Sequence, residues 1–314
     1  MVQVAVTDLA AYFDDEITAM PNLVTVGAAG TASTVAGIPF FAADNSIYTH
    51  DVSGTDSTAE QNAAYGIGAM DAITTGDNNT AMGFGALGAN TTGGSNTAIG
   101  QNALSGNTTA SGNTALGQNT MTANTTGTRN LAIGFAAYNS SDTENDNLAI
   151  GYDAMTTNTA GGTANVAVGN YTLDALTSGD ENIAIGHEAL TANTTGLRNV
   201  AVGAANLDAN TTGNYNTSIG YGGLSSNTTG ANNTAVGNEA LLANTTGADN
   251  TAVGTSSIGN NTTGARNTAV GMNSLNANTT ATDNTSVGYN SMVANTTGSN
   301  NVAVGVTALD ANTT

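Results

Sequence analysis

The chain has no cysteine, no tryptophan and no lysine, only two prolines, and few aromatics (4% of 314 residues). Without cysteine there can be no disulfide and no thiolate metal site, which is compatible with existence outside a reducing cell. Without tryptophan, and with so few rings, the chain lacks the bulk of an ordinary globular core. Scarce proline and absent lysine argue equally against a disordered chain, which is usually rich in both. Cations are limited to Arg129, Arg198 and Arg266 against 23 acids, a net charge of −20. That balance excludes nucleic-acid binding by phosphate neutralisation and adsorption to anionic lipid. No apolar run approaches the length of a membrane-spanning helix, so no membrane insertion is expected. The start, MVQVAVTDLAAYFDDEITAM, has no basic segment and carries Asp14, Asp15 and Glu16 where a signal peptide needs apolar residues. The expectation is a chain made in the cytosol and not exported by a cleaved signal.

Chemistry is sparse as well. His50 and His187 are the only histidines and lie far apart in sequence. No Ser-His-Asp grouping, HExxH, phosphate loop, EF-hand or calcium-binding nonapeptide occurs. Asp51, Asp56, Asp71 and Asp77 are scattered and read as solvated acids, and His187–Glu188 as surface decoration. An enzyme is not expected, and no catalytic, cofactor or metal residues are assigned.

What the chain has is repetition. NTAVGNEALLANTTGAD from Asn233 is followed by NTAVGTSSIGNNTTGAR from Asn250. Glycines recur from Gly66 to Gly305, through Gly100, Gly117 and Gly134, at intervals of 17, with one interval of 18 between Gly151 and Gly169. Fifteen units of the form N-T-A-V-G-x-x-A-L-x-A-N-T-T-G-x-x thus span residues 62–314. The extra residue falls in the turn-rich stretch 156–165, where insertion does least harm. Position 1 is always Asn, position 3 Ala or Ser, and position 5 Gly.

A period of 17 is too short for helical-pair repeats or propeller blades. Asn, Thr, Val and Gly are poor helix formers, which leaves a parallel β-solenoid with one coil per unit. N-T-A-V is expected to be a strand with positions 2 and 4 on one face and position 3 on the other. The x-x-A-L-x-A segment is expected to be a second short strand. Positions 4 and 9, helped by 2, are the expected core. The glycine at position 5 supplies a bend, and the glycine of N-T-T-G a left-handed turn residue. Stacking at about 4.8 Å per coil makes a rod of roughly 70 Å.

Every position then becomes a column. Asn96, Asn113, Asn130, Asn182 and Asn199 read as an amide ladder rather than as ligands. Asn-Thr-Thr matches the glycosylation sequon, but recurs because the turn recurs. Position 17 holds all three arginines, each with an acid one coil away: Arg129 with Asp146, Arg198 with Glu181, and Arg266 between Asp249 and Asp283. These predict axial ion pairs that report register more than they stabilise. A coil this thin buries little, so association of several rods through a flat face is the expected remedy. The small position-3 column would permit close approach.

NLAIG (130–134), NIAIG (182–186) and NVAVG (199–203) resemble the head repeats of trimeric autotransporter adhesins. The NTAxGxxAL…NTTG pattern is even more similar to arrays in bacteriophage tail-fibre proteins. This resemblance covers residues 62–314 and implies a left-handed β-roll assembled as a homotrimer. The 17-residue unit is longer than the adhesin repeat. With neither an export signal, a heptad stalk nor anchor strands, a virion protein is favoured over an autotransporter. The chain stops at Thr314 inside a turn, which leads to the expectation of a longer fibre with a tip or self-cleaving chaperone domain.

Residues 1–61 fall outside the repeat. Leu9, Phe13, Ile17 and Met20 have helical spacing, ended by Pro21, and 24–41 reads as short strands and turns. This segment is expected to attach or cap the rod. The expected function is a phage tail fibre or comparable virion appendage: a trimeric rod supporting host attachment, joined to other virion proteins through 1–61, with a host receptor or glycan as further partner. The alternatives are a bacterial surface adhesin or extracellular filament and, given the paired Thr columns, an ice-binding solenoid.

Overall fold

The computed structural model describes residues 58–314 except 141, 159 and 160, together with the backbone of three strands within 33–48. These are β1 (Ser33–Val35), β2 (Ile38–Ala43) and β3 (Ser46–Tyr48), which pair antiparallel in succession. The helix expected near residues 8–20 lies outside the described residues. Strand β3 then pairs parallel with β4 (Ala63–Tyr65), the first of fifteen parallel strands ending with β18 (Val302–Val304). No helix occurs among the described residues. The chain is an all-β parallel solenoid.

Register follows the repeat. Each strand comprises positions 2–4 and pairs with the residues 17 further on, as in Thr234↔Thr251 and Val236↔Val253. The long interval is absorbed between β9 (Leu148–Ile150) and β10 (Val166–Val168), where Leu148 opposes Val166 and the alignment is otherwise unchanged.

The strand faces are opposite to expectation. Position 3 is interior: Ala98, Ala115, Ala132 and Ala149 are fully buried. Positions 2 and 4 face outward, with Met82 51% and Leu116 43% exposed. The reason is thickness. Positions 8 and 3 of successive coils face each other at close range, as Ser274 Oγ and Ser286 Oγ do at 2.7 Å, so a small residue fits inward and the branched side chains turn out.

The second strand is absent, because positions 8 and 9 are both buried and a strand cannot face two consecutive residues inward. Two tight turns replace it. The Ala103 N–H donates to the Gly100 carbonyl, and the Asn107 N–H to the Leu104 carbonyl. Positions 7 and 9 are left-handed, as at Asn102 (φ 56°) and Leu104 (φ 51°). Such backbone is unfavourable for bulky residues, and it is held because the leucine at position 9 is the largest apolar group the coil encloses. Burying that side chain yields about 1.5–3 kcal/mol per coil. At N-T-T-G the glycine is not left-handed; that conformation falls two residues later, at position 17, as at Arg198 (φ 55°) and Asp249 (φ 58°).

Glycine at position 5 is required twice over. At Gly134 φ is +134°, and a Cβ would stand 2.2 Å from the Gly151 carbonyl oxygen of the next coil. Gly222, at position 7, is left-handed (φ +62°) but has nothing nearer than 3.9 Å. Gly134→Ala is therefore expected to destabilise its region by about 2–4 kcal/mol. Gly222→Asn, a residue this column already carries, should change stability by less than about 0.5 kcal/mol. Urea unfolding with hydrogen exchange resolved by segment checks both.

Candidate functional site

The interior of the rod is hydrogen-bonded along its axis. The backbone N–H of Asn199 and its Nδ2 both donate to Asn182 Oδ1, at 3.0 and 3.2 Å. Asn199 Nδ2 also donates to the Gly213 carbonyl, 2.8 Å away, closing its own coil. Asn182 makes the same bonds to Asn165 and to the Gly196 carbonyl. Asn96 does likewise with Asn79 and the Ala110 carbonyl. In Asn113 and Asn130 the N–H donates to the preceding amide and Nδ2 closes the coil. The backbone N–H groups of Gly100, Gly117 and Gly134 donate to position-4 carbonyls of the preceding coil, each at 2.8 Å.

A second ladder stands at position 12, inside what the sequence presents as a turn. Asn107 Nδ2 donates to Asn90 Oδ1, and Asn210 Nδ2, Asn227 Nδ2 and Asn244 Nδ2 continue the pattern. The signal was the near-constant Asn at this place, hidden because Asn is also a turn residue. These asparagines head the Asn-Thr-Thr sequons and are buried. The following threonine hydroxyls also bond axially, Thr91 Oγ1 donating to the Thr108 carbonyl at 3.0 Å. This ladder is interruptible. Leu176 occupies the column after Asn158, whose Oδ1 is left buried without a donor. In the coil before the long one, Tyr138 replaces Leu at position 9, and its hydroxyl accepts from Asn147 Nδ2 (2.6 Å) and Asn158 Nδ2 (3.3 Å) of the long coil. The buried Glu144 carboxylate accepts the N–H groups of Asp142, Thr143 and Gly161 there.

On the surface, Arg129 Nε lies 2.6 Å from Asp146 Oδ1, Arg198 Nε 2.7 Å from Glu181 Oε2, and Arg266 Nε 2.7 Å from Asp283 Oδ1. Arg266 thus takes the acid of the following coil, while Asp249 accepts from Asn232 Nδ2. Hydrogen bonds from the arginines hold Asp146, Glu181 and Asp283 below the usual carboxylate range. These pairs are exposed and screened.

Asp174 and Asp208, both at position 10, behave oppositely. Burial raises both carboxyls; for Asp174 the charges of Asp153 and Glu188 add to it, and for Asp208 that of Glu188. Beside them runs an aromatic series. Phe135 stacks on Tyr152 with centroids 5.3 Å apart, Tyr152 meets Tyr171 edge-on at 5.5 Å, and Tyr171 meets His187 at 5.9 Å. Among the described residues no three His, Cys, Asp or Glu side chains converge as a metal-binding group, and no helix is long and apolar enough to cross a membrane.

The outward strand face is an apolar column running along the described coils. Met82, Leu116, Ile185, Ile219, Val253 and Val270 stand exposed in the position-4 column. No family model matches the chain, and neither a curated protein nor a solved structure matches it.

Two predictions test this anatomy. Asn250→Leu removes the acceptor of the buried Asn267 N–H and should cost about 1–3 kcal/mol. Asn244→Leu should cost less, because the Gly247 carbonyl keeps its bond from Asn233 Nδ2 and the column already tolerates Leu176. Hydrogen exchange over 233–284 compares the two. For Asp208 the folded pKa is raised, so its contribution to stability is present below the unfolded value and lost as pH rises through the folded one. Asp208→Asn is expected to raise the unfolding midpoint at pH 7, with the gain vanishing below about pH 4. Thermal melts across that range measure it.

Proposed function

We propose that the chain is a structural, non-enzymatic fibre protein of a phage virion, forming a rigid left-handed rod that associates as a homotrimer and supports host attachment. The observation that carries this reading is the position-4 column, apolar in all fifteen units and facing outward. A contiguous apolar stripe exposed along a rod is the kind of surface that marks an association face. Inside, the apolar groups each coil encloses are mainly two small residues and one Leu-sized side chain. Packing the strand faces of three copies around a common axis would give each thin coil the apolar partner it lacks, with equivalent residues meeting at equal height. The choice of three copies, the handedness and the virion setting rest on the resemblance of the NLAIG-type strands to adhesin heads and phage fibre arrays. In this reading residues 1–61 join the rod to other virion proteins, and a host receptor or glycan is engaged elsewhere on the fibre.

Sedimentation equilibrium of the full chain is expected to give the trimer mass. Val236→Asp combined with Val253→Asp, on the outward face, should shift it toward monomer while the β-rich circular dichroism spectrum persists. A parent chain sedimenting as a monomer overturns the assembly. Failure of antibodies against the chain to label virion appendages in electron micrographs overturns the location.

A further inference from the structure

The aromatic series of Phe135, Tyr152, Tyr171 and His187 lies beside the strand face, at positions 6 and 7 of four successive coils. The first three rings are each about two-fifths exposed (41%, 43% and 38%). Acids line the same stretch. Asp153 and Glu188 stand in the column of Tyr171, one coil before and one after it, and Asp174 and Asp208 stand at position 10 of alternate coils. Asp208 Oδ1 is buried and has no hydrogen-bond donor. The stripe thus combines aromatic surface with four carboxylates and contains no permanent cation. Arg198, at position 17 of the coil that carries His187, is taken up by Glu181.

The chain itself displays the group that satisfies such surroundings. Arg198 donates to Glu181 on one side and lies 5.8 Å from the centroid of the Tyr215 ring on the other. A guanidinium can do both at once because its plane stacks on rings while its edge bonds carboxylates. We propose that the stripe from Phe135 to His187, with Asp153, Asp174, Glu188 and Asp208, docks an arginine-bearing basic segment of a different protein.

A second copy of the chain is a poor occupant. Its three arginines are all paired within their own chain, and residues 1–61 contain neither lysine nor arginine. The stripe covers three coil steps, about 14 Å, the span of four to five extended residues. Alternate side chains of such a segment face the same way, so two arginines would reach it from one strand-like stretch. This inference does not depend on the rod being part of a virion.

The test uses the full chain and a fluorescein-labelled octapeptide of alternating arginine and serine, followed by anisotropy at low and physiological salt. Saturable binding is expected. Tyr152→Leu with Tyr171→Leu, which keeps apolar bulk and removes the π faces, should weaken it about tenfold or more. Asp174→Asn with Asp208→Asn should do the same. Glu239→Gln with Asp310→Asn removes the same charge at positions 7 and 10 outside the stripe, and should alter affinity by less than about twofold. Circular dichroism identifies any variant that fails to fold, and Tyr152→Phe with Tyr171→Phe, expected to bind like the parent, then controls for it. The proposal is overturned if the peptide does not bind saturably, if the remote pair costs as much as the local one, or if both tyrosine-to-leucine changes leave affinity intact. Equal affinity for spermidine would also overturn it, because the site would then take any small polyamine.

Discussion

Everything in this rod depends on one constraint: each buried amide at position 1 is satisfied only if the coils on either side present the same group at the same height. Asn182 Oδ1 accepts from the backbone N–H and the side chain of Asn199, while Asn199 Nδ2 also closes its own coil. Burying a primary amide is unfavourable unless its hydrogen bonds are made. A chain that places one in every coil is therefore committed to placing it in all of them. Backbone bonds follow the same rule, since most N–H groups outside the strands donate to a residue one coil away. Repetition is the means by which a core too thin for ordinary hydrophobic packing becomes polar, ordered and satisfied.

That constraint explains which features were legible in the sequence. The period, the position-5 glycine, the position-1 ladder and the arginine column are identities at fixed spacing, and identity survives stacking whatever the local path of the chain. Inside and outside were not legible, because apolarity points the wrong way. Val236 is more hydrophobic than Ala235, yet Ala235 is the buried one, in a column that holds only Ala or Ser. The segment with Ala240 and Leu241 read as a strand because its left-handed turns fall on ordinary residues, Glu239 and Leu241, rather than on glycine. The second ladder escaped because Asn244 in N-T-T-G has a sufficient local explanation as a turn residue.

The inversion has consequences for use. Aliphatic side chains turned outward give the rod an apolar face, and its arginine ion pairs stand in the position-17 column, off that face. Local departures from the repeat are compensated at the same height. Tyr138 supplies a hydroxyl to Asn147 and Asn158 near the long coil, and Glu144 takes up N–H groups where the turn is lengthened. Length and stiffness come from the constant positions, and individuality, including the stripe from Phe135 to His187, from positions 6, 7 and 10.

The most direct measurement of axial register as the organising principle is a pair of deletions. Removing residues 216–232 takes out one whole unit and joins Tyr215 to Asn233; removing 216–231 takes out one residue fewer. If the ladders govern the fold, the first variant keeps the stability of the parent and small-angle scattering finds its rod shorter by about 4.8 Å. The second shifts every later column by one place and loses hydrogen-exchange protection around the junction. Equal protection and equal stability in both variants would contradict the account.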